Sequence, residues 1–272
     1  MKALTAAFQF LTIVPVRTKK VPSEKDLVGS SVFFPFVGAT QGLVLAICCL
    51  VFLKIFSPEI VAALVIIVYA VVTGAFHLDG LSDTFDALAV RSSGNVGSDR
   101  VKRLAVMKDS TTGAIGSVSL ILCLLFKYLL LRETLAADHA LHKYLVLFLT
   151  PVFSKWIMVR AMYRVKSARD DGIGRIFLAH VRLRHFVLAT VVFLVIGLTA
   201  GLIWSHTVLT SFGRGIGSFA LFFCLAVTVT LSVGFLFKRL FTAKFGGLTG
   251  DNFGALHEIT ENAFLTVALL WK

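Results

Sequence analysis

The chain has 272 residues, of which 57% are hydrophobic and 15% charged, with a mean hydropathy of +0.87. A soluble domain carries about 25% charged residues, so a water-soluble globular fold is excluded and a polytopic membrane protein is specified. The excess of 27 Lys and Arg over 15 Asp and Glu would suit nucleic acid, but these cations concentrate in alternate connecting segments, so no nucleic-acid partner is expected.

The first apolar run, 3–16, follows Lys2 as a signal peptide would. It has no small-residue cleavage site, Pro15 stands where one is needed, and it is too short to span. It is predicted to stay as an interfacial or re-entrant helix. Seven later stretches are long enough to cross a bilayer: 31–53, 59–78, 113–131, 144–163, 186–204, 216–237 and 254–271. The last is the weakest, because it contains His257, Glu258 and Glu261. Segments of this length satisfy their backbone in lipid only as helices, so the expected fold is an all-α polytopic membrane helix bundle. Without a repeat or a linker, residues 1–272 read as one integral membrane domain. Cys48, Cys49, Cys123 and Cys224 lie in apolar runs, with neither metal-ligand nor disulfide spacing.

The connecting segments set the orientation. Nineteen Lys and Arg fall before span one and after spans two, four and six, against five on the other side. The first group includes Arg17, Lys19 and Lys20; the second includes Arg214 and Lys272. Lys127 and Lys155 lie inside spans. The asymmetry puts the ends of the even-numbered spans in the cytoplasm. Asp79, Asp83, Asp86, Asp109, Asp170, Asp171 and Asp251 then all face the cytoplasm, with Glu258 and Glu261 two to three turns deep.

The densest chemistry is His77-Leu78-Asp79-Gly80-Leu81-Ser82-Asp83-Thr84-Phe85-Asp86. On a helix, Asp79, Asp83 and Asp86 are spaced i, i+4 and i+7, on one face. A carboxylate near hydrocarbon costs about 2.5–3.5 kcal/mol on insertion scales, and three on one stripe also repel. A divalent cation with oxygen ligands, Mg²⁺ above all, relieves both costs and is usually shared with a phosphate. An ordinary solvated helix end is the plainer reading. His77 beside the stripe is read as a base, a supporting partner or an interfacial polar residue.

Three further clusters reach the same face. In Gly246-Gly247-Leu248-Thr249-Gly250-Asp251, glycines permit close approach of backbone amides to a phosphate at a helix start, with Thr249 and Gly250 as the contacts. Asp251 and Glu258, seven residues apart, offer a second ligand pair, or Asp251 serves as general base. A helix cap and a small-residue packing face would explain the same residues, Glu258 excepted. In Met107-Lys108-Asp109-Ser110, Lys108 is placed to meet a phosphate, while Asp109 or Ser110 equally well caps a helix. In Arg169-Asp170-Asp171-Gly172-Ile173-Gly174-Arg175, the flexible Gly-x-Gly followed by Arg175 suits a phosphate or nucleotide.

With these segments assembled, the chain resembles the cobalamin synthase, or adenosylcobinamide-GDP ribazoletransferase, family nearly end to end. The resemblance rests on the His-x-Asp-Gly-x-x-Asp-x-x-Asp run at 77–86 and the Thr249-Gly250-Asp251 run, supported by Phe34-Pro35-Phe36-Val37-Gly38, Met107-Lys108-Asp109-Ser110 and Glu258. One departure is Thr111, where relatives often carry Arg. The resemblance implies that a hydroxyl of α-ribazole, or of its 5′-phosphate, attacks the corrinoid-side phosphorus of adenosylcobinamide-GDP. GMP leaves, and adenosylcobalamin or its 5′-phosphate forms. It further implies Mg²⁺ on Asp79, Asp83, Asp86 and Glu258, and Asp251 or His77 as proton acceptor. Lys108, Asp109, Arg175, Thr249 and Gly250 would contact substrate at the cytoplasmic face of a cell (inner) membrane.

Two other classes compete. CDP-alcohol phosphotransferases and prenyltransferases also place Asp-rich runs at helix ends, but the Ala-Arg pair of the former is replaced by Leu81-Ser82-Asp83 and the latter leave Thr249-Gly250-Asp251 unexplained. A cation-coupled transporter would show midplane acids and often a repeat, whereas most acids here crowd one face.

Overall fold

The structure is a computed structural model and describes residues 2–16, 21–137, 140–208 and 216–271. Arg17, Lys19, Lys20, Arg214 and Lys272, which enter the charge asymmetry, lie outside the described residues. The described chain is helical, with one isolated parallel bridge between Ser167 and Leu248. The helices are α1 (Lys2–Leu11), α2 (Glu24–Ser30), α3 (Phe34–Phe52), α4 (Pro58–Thr73), α5 (Phe76–Ala89), α6 (Val96–Val106), α7 (Ala114–Leu135), α8 (Ala140–Met162), α9 (Gly172–His180), α10 (Leu183–Val208), α11 (Ile216–Phe245) and α12 (Gly250–Leu269).

Five helical stretches are long and apolar enough to cross a membrane, or six if a bent pair counts as one, against the seven expected. Two physical causes account for the difference. The second predicted span breaks at Gly74 and Ala75, both left-handed at φ 63° and 55°, and α5 leaves α4 at 90°. With 16 residues, α4 is about 24 Å long. The seventh, α12, has 20 residues but carries Asp251, Glu258 and Glu261. It packs against α5, α7, α8 and α11, and both Glu258 and Glu261 are buried in protein rather than facing lipid.

Layering follows burial. The most apolar stretch of α8 is 89% buried inside the molecule, that of α10 and of α11 only 28%. The exposed Leu, Val and Phe of α10 and α11 are what a lipid-facing surface requires. α3 lies directly on α8: a Cβ on Gly38 would come within 2.5 Å of the Pro151 carbonyl oxygen, and one on Gly42 would collide with that of Phe148. Small residues permit this backbone contact.

The segments after α8 and after α11 meet. Leu248 N donates to Lys166 O and Ala168 N to Leu248 O, both at 2.9 Å. Arg103 of α6 donates to Lys244 O at 3.4 Å. Three of the basic segments predicted to share a side are thereby joined at one end of the bundle, where α12 begins.

Candidate active site

α5 and α12 cross at backbone contact. A Cβ on Gly80 would sit 2.7 Å from Asp251 O, and one on Gly254 would sit 2.9 Å from His77 O. Both glycines are needed for this approach, which brings the stripe of α5 beside the first turn of α12. Thr249 caps α12: its Oγ1 accepts from Asn252 N at 3.3 Å and its N–H donates to Asn252 Oδ1 at 3.0 Å. Asn252 Nδ2 donates to Thr84 Oγ1 at 3.1 Å, pinning the turn to α5. The capping reading of Thr249 therefore holds, and the cap also lines a cavity.

That cavity, about 490 Å³, is walled by Phe10, Leu11, Phe76, Met158 and Phe253 and by the polar residues His77, Asp79, Arg169, Asp171, Arg175, Thr249 and Asp251. Gly172, Gly174 and Gly250 are also part of the lining, so the N-termini of α9 and α12 both open onto it, an arrangement that favours anions. A Cβ on Gly174 would lie 2.8 Å from Gly250 N, so the two helix starts nearly touch.

Asp83 feels its neighbours. Burial first, then the charges of Asp79, Asp251 and Asp86, push its carboxyl up to about 7, against the pull of Arg169. Burial also raises the Asp251 carboxyl, which Arg169 partly offsets. Arg169 Nη1 pairs with Asp251 Oδ2 at 3.0 Å, while its Nε and Nη2 are buried without a hydrogen-bond partner. Buried N–H donors left unmade are costly, and here they belong to a residue that lines the cavity beside Asp79 and Asp251. Partly buried carboxylates whose mutual repulsion adds to the effect of burial are a donor set suited to a hard divalent cation. The remaining donors of the guanidinium suit the oxygen of an anion.

The other expected residues are placed as follows. Both oxygens of Asp86 accept backbone amides at the start of α7, from Gly113 N at 2.7 Å and Gly116 N at 2.8 Å. Asp86 thus anchors α7 beside the stripe. Lys108 pairs with Asp171 at 2.6 Å, an exposed contact at the cavity rim. Asp109 accepts from Thr111 N and Oγ1 at 2.9 and 2.7 Å, a local turn away from the cavity. Arg175 and Gly250 line the cavity.

Glu258 lies in a different group. Lys127 Nζ of α7 meets Glu258 Oε2 at 2.5 Å and Glu261 Oε2 at 2.7 Å. Tyr69 OH donates to Glu261 at 2.8 Å and Ser154 Oγ at 3.2 Å. Ligand atoms of His257, Glu258 and Glu261 lie within 4.8 Å of one another, a spacing a metal would accept, but Lys127 already supplies the positive charge. This group reaches the cavity through His77, whose ring lies tilted against that of His257 with centroids 3.9 Å apart. His77 Nε2 lies 3.1 Å from Lys155 Nζ, and its Nδ1 is buried without a partner. With Lys155 as donor, a neutral His77 ring carries its proton on Nδ1.

Sequence reasoning passed over Arg169 in favour of Arg175, and did not assign Lys127, Lys155, Tyr69 or His257. One signal was present for the lysines: a cation inside an apolar span requires an anion on another, and Glu258 and Glu261 were the available ones.

Apolar helices that enclose a charged cavity, lined by Asp79, Asp171 and Asp251 and by Arg169 and Arg175, define the class: a helical membrane protein with an internal polar site. The profile of the Cobalamin-5-phosphate synthase family matches residues 3–269, and the chain belongs to that transferase family. It is 33% identical to an adenosylcobinamide-GDP ribazoletransferase of Thermodesulfovibrio yellowstonii, over 97% of this chain and 94% of the relative. It is 36% identical to one of Geotalea daltonii, over 94% and 92%, and 34% identical to one of Syntrophobacter fumaroxidans, over 96% of each. No solved structure matches the chain.

Proposed function

We propose that the chain joins adenosylcobinamide-GDP to α-ribazole, or to its 5′-phosphate, with release of GMP, at the cytoplasmic face of the inner membrane. One observation supports this most: Arg169, with two buried nitrogens left without a hydrogen-bond partner, lines a cavity that Asp79 and Asp251 also line. A diphosphate supplies the oxygens that the guanidinium lacks. The apolar wall of Phe10, Leu11, Phe76, Met158 and Phe253 offers a surface for the bulky organic part of the donor.

Phosphoryl transfer depends on positioning and charge neutralisation more than on covalent help. Arg169 and Arg175 orient the diphosphate, and the amides at the starts of α9 and α12 add fixed positive poles. Asp251 is the proton acceptor for the attacking hydroxyl, since burial already raises its affinity for a proton. His77 supports as a donor through Nδ1 rather than as the base. Asp79 and Asp83 would hold Mg²⁺, which would neutralise charge on the diphosphate and on the leaving GMP. Asp86 is left to α7 and Glu258 to Lys127.

The test is GMP release by purified protein given both substrates and Mg²⁺, beside a CDP-alcohol donor. Release only with the corrinoid donor is expected, with Asp83→Asn inactive. Arg169→Gln should reduce release roughly ten- to a hundredfold, the range for lost hydrogen bonds to a charged group. Full activity in Asp83→Asn, or turnover of the CDP-alcohol alone, would overturn the proposal.

A further inference from the structure

Away from the reaction cavity, a second concave surface lies between the last turns of α8 and the end of α11. Two adjoining hollows of about 320 and 940 Å³ share Arg160, Phe235 and Lys238. The smaller is floored by Ile157, Ala161 and Leu231; the larger adds Arg164, Lys166 and Arg239. Five cations therefore ring one groove whose lining contains no carboxylate. None of the five forms an ion pair among the described residues.

The groove is polarised along the helices. Phe235 and Leu236 are exposed on the membrane-crossing stretch of α11, and the cations follow within a turn. Apolar wall below and clustered cations above match an acyl chain and an anionic headgroup. One cation is held at a backbone cost. Arg164 has φ 54°, a left-handed conformation that costs a non-glycine residue about 1–2 kcal/mol. In it, the guanidinium lies 5.3 Å from the Tyr163 ring centroid, and Tyr163 O also accepts from Lys238 Nζ at 2.7 Å. Lys238 keeps two further N–H donors for a ligand. Strained backbone that survives is a pointer to function.

We propose that this groove binds the phosphodiester headgroup of an anionic phospholipid, with an acyl chain along Ile157, Leu231 and Phe235. The bound lipid bears on the reaction cavity through one length of chain. Lys166 lines the groove while its carbonyl holds Leu248, and Ser167 and Arg169 just beyond it line the cavity. A lipid that fixes Arg164 and Lys166 fixes the approach of Arg169.

The test adds phosphatidylglycerol or phosphatidylcholine to the delipidated full-length protein in detergent and counts retained lipid by native mass spectrometry. Phosphatidylglycerol should be retained and phosphatidylcholine should not. Arg164→Gln with Arg239→Gln changes two exposed side chains. It should weaken retention about 25-fold, at about fivefold per cation near a membrane surface. Lys25→Gln with Lys102→Gln, exposed cations outside the groove, should leave retention unchanged. Equal loss in both pairs, equal retention of phosphatidylcholine, or full displacement of the lipid by millimolar inorganic pyrophosphate would overturn the assignment.

Discussion

At the scale of single residues, Asp83 controls the pH response. Its carboxyl is raised to about 7 by burial and by Asp79, Asp251 and Asp86. The folded protein therefore binds this proton more tightly than the unfolded chain, whose Asp titrates near 3.9. The stabilising contribution is complete below about pH 4 and is lost as pH rises through about 7. In metal-free protein, Tm should fall between those values more steeply in the unmodified chain than in Asp83→Asn, as scanning calorimetry in detergent would record. A cation must displace the same proton, so Mg²⁺ affinity should rise up to about pH 7 and level off above it. Identical Tm profiles for the two proteins would contradict this. The Asp stripe was legible in the sequence because helical spacing alone fixes it. The use of Asp86 by Gly113 and Gly116 was not, since a carboxylate reaching across to another helix start leaves no local spacing pattern. The unsatisfied face of Arg169 was hidden for a similar reason: which N–H groups remain unpaired depends on the Ser167–Leu248 bridge.

At the scale of elements, the site exists because two helices touch through glycine. On Gly80 a Cβ would lie 2.7 Å from a backbone oxygen of α12, and backbone cannot swing aside as a flexible side chain can. Gly80→Ala should destabilise by about 1–3 kcal/mol, the usual range for overpacking, and should depress GMP release by separating Asp83 from Asp251. Gly217→Ala, where a Cβ meets nothing within 4 Å, serves as the neutral control; equal behaviour of the two variants would argue against the crossing. Most helices were readable from apolar length. The bend after α4 was not, because Gly74 alone resembles any helix-ending glycine, and nothing in sequence marks Ala75 as left-handed. The result matters for function: the turn lays α5, with its three carboxylates, across the start of α12 instead of extending the membrane-crossing helix.

At the scale of the whole molecule, a charged centre lies beneath the cavity among the helices. Lys127 bridges Glu258 and Glu261, Lys155 adds a second buried cation nearby, and Tyr69 and Ser154 are neutral donors to Glu261. Breaking such a buried group on one side leaves an uncompensated charge. Lys127→Met should cost about 3–5 kcal/mol, and adding Glu258→Gln and Glu261→Gln should recover much of it. No recovery in the triple variant, read as Tm in detergent, would show that these residues act otherwise than as mutually compensating charges. The sequence showed each of these charges inside an apolar stretch but not their pairing, which arises from the packing of α7 against α12. The same packing explains why α12 is not a clear crossing: a helix enclosed by its neighbours has no need of an apolar surface.

In the proposed reaction, Asp79 and Asp83 clasp a divalent cation that also holds the donor's diphosphate, beside Asp251. Mn²⁺ in place of Mg²⁺ makes this directly observable by electron–nuclear double resonance on protein with the corrinoid nucleotide bound. A ³¹P coupling is predicted in the unmodified protein and its loss in Asp83→Asn. Bound Mn²⁺ without ³¹P coupling, or a coupling unchanged by Asp83→Asn, would contradict the account.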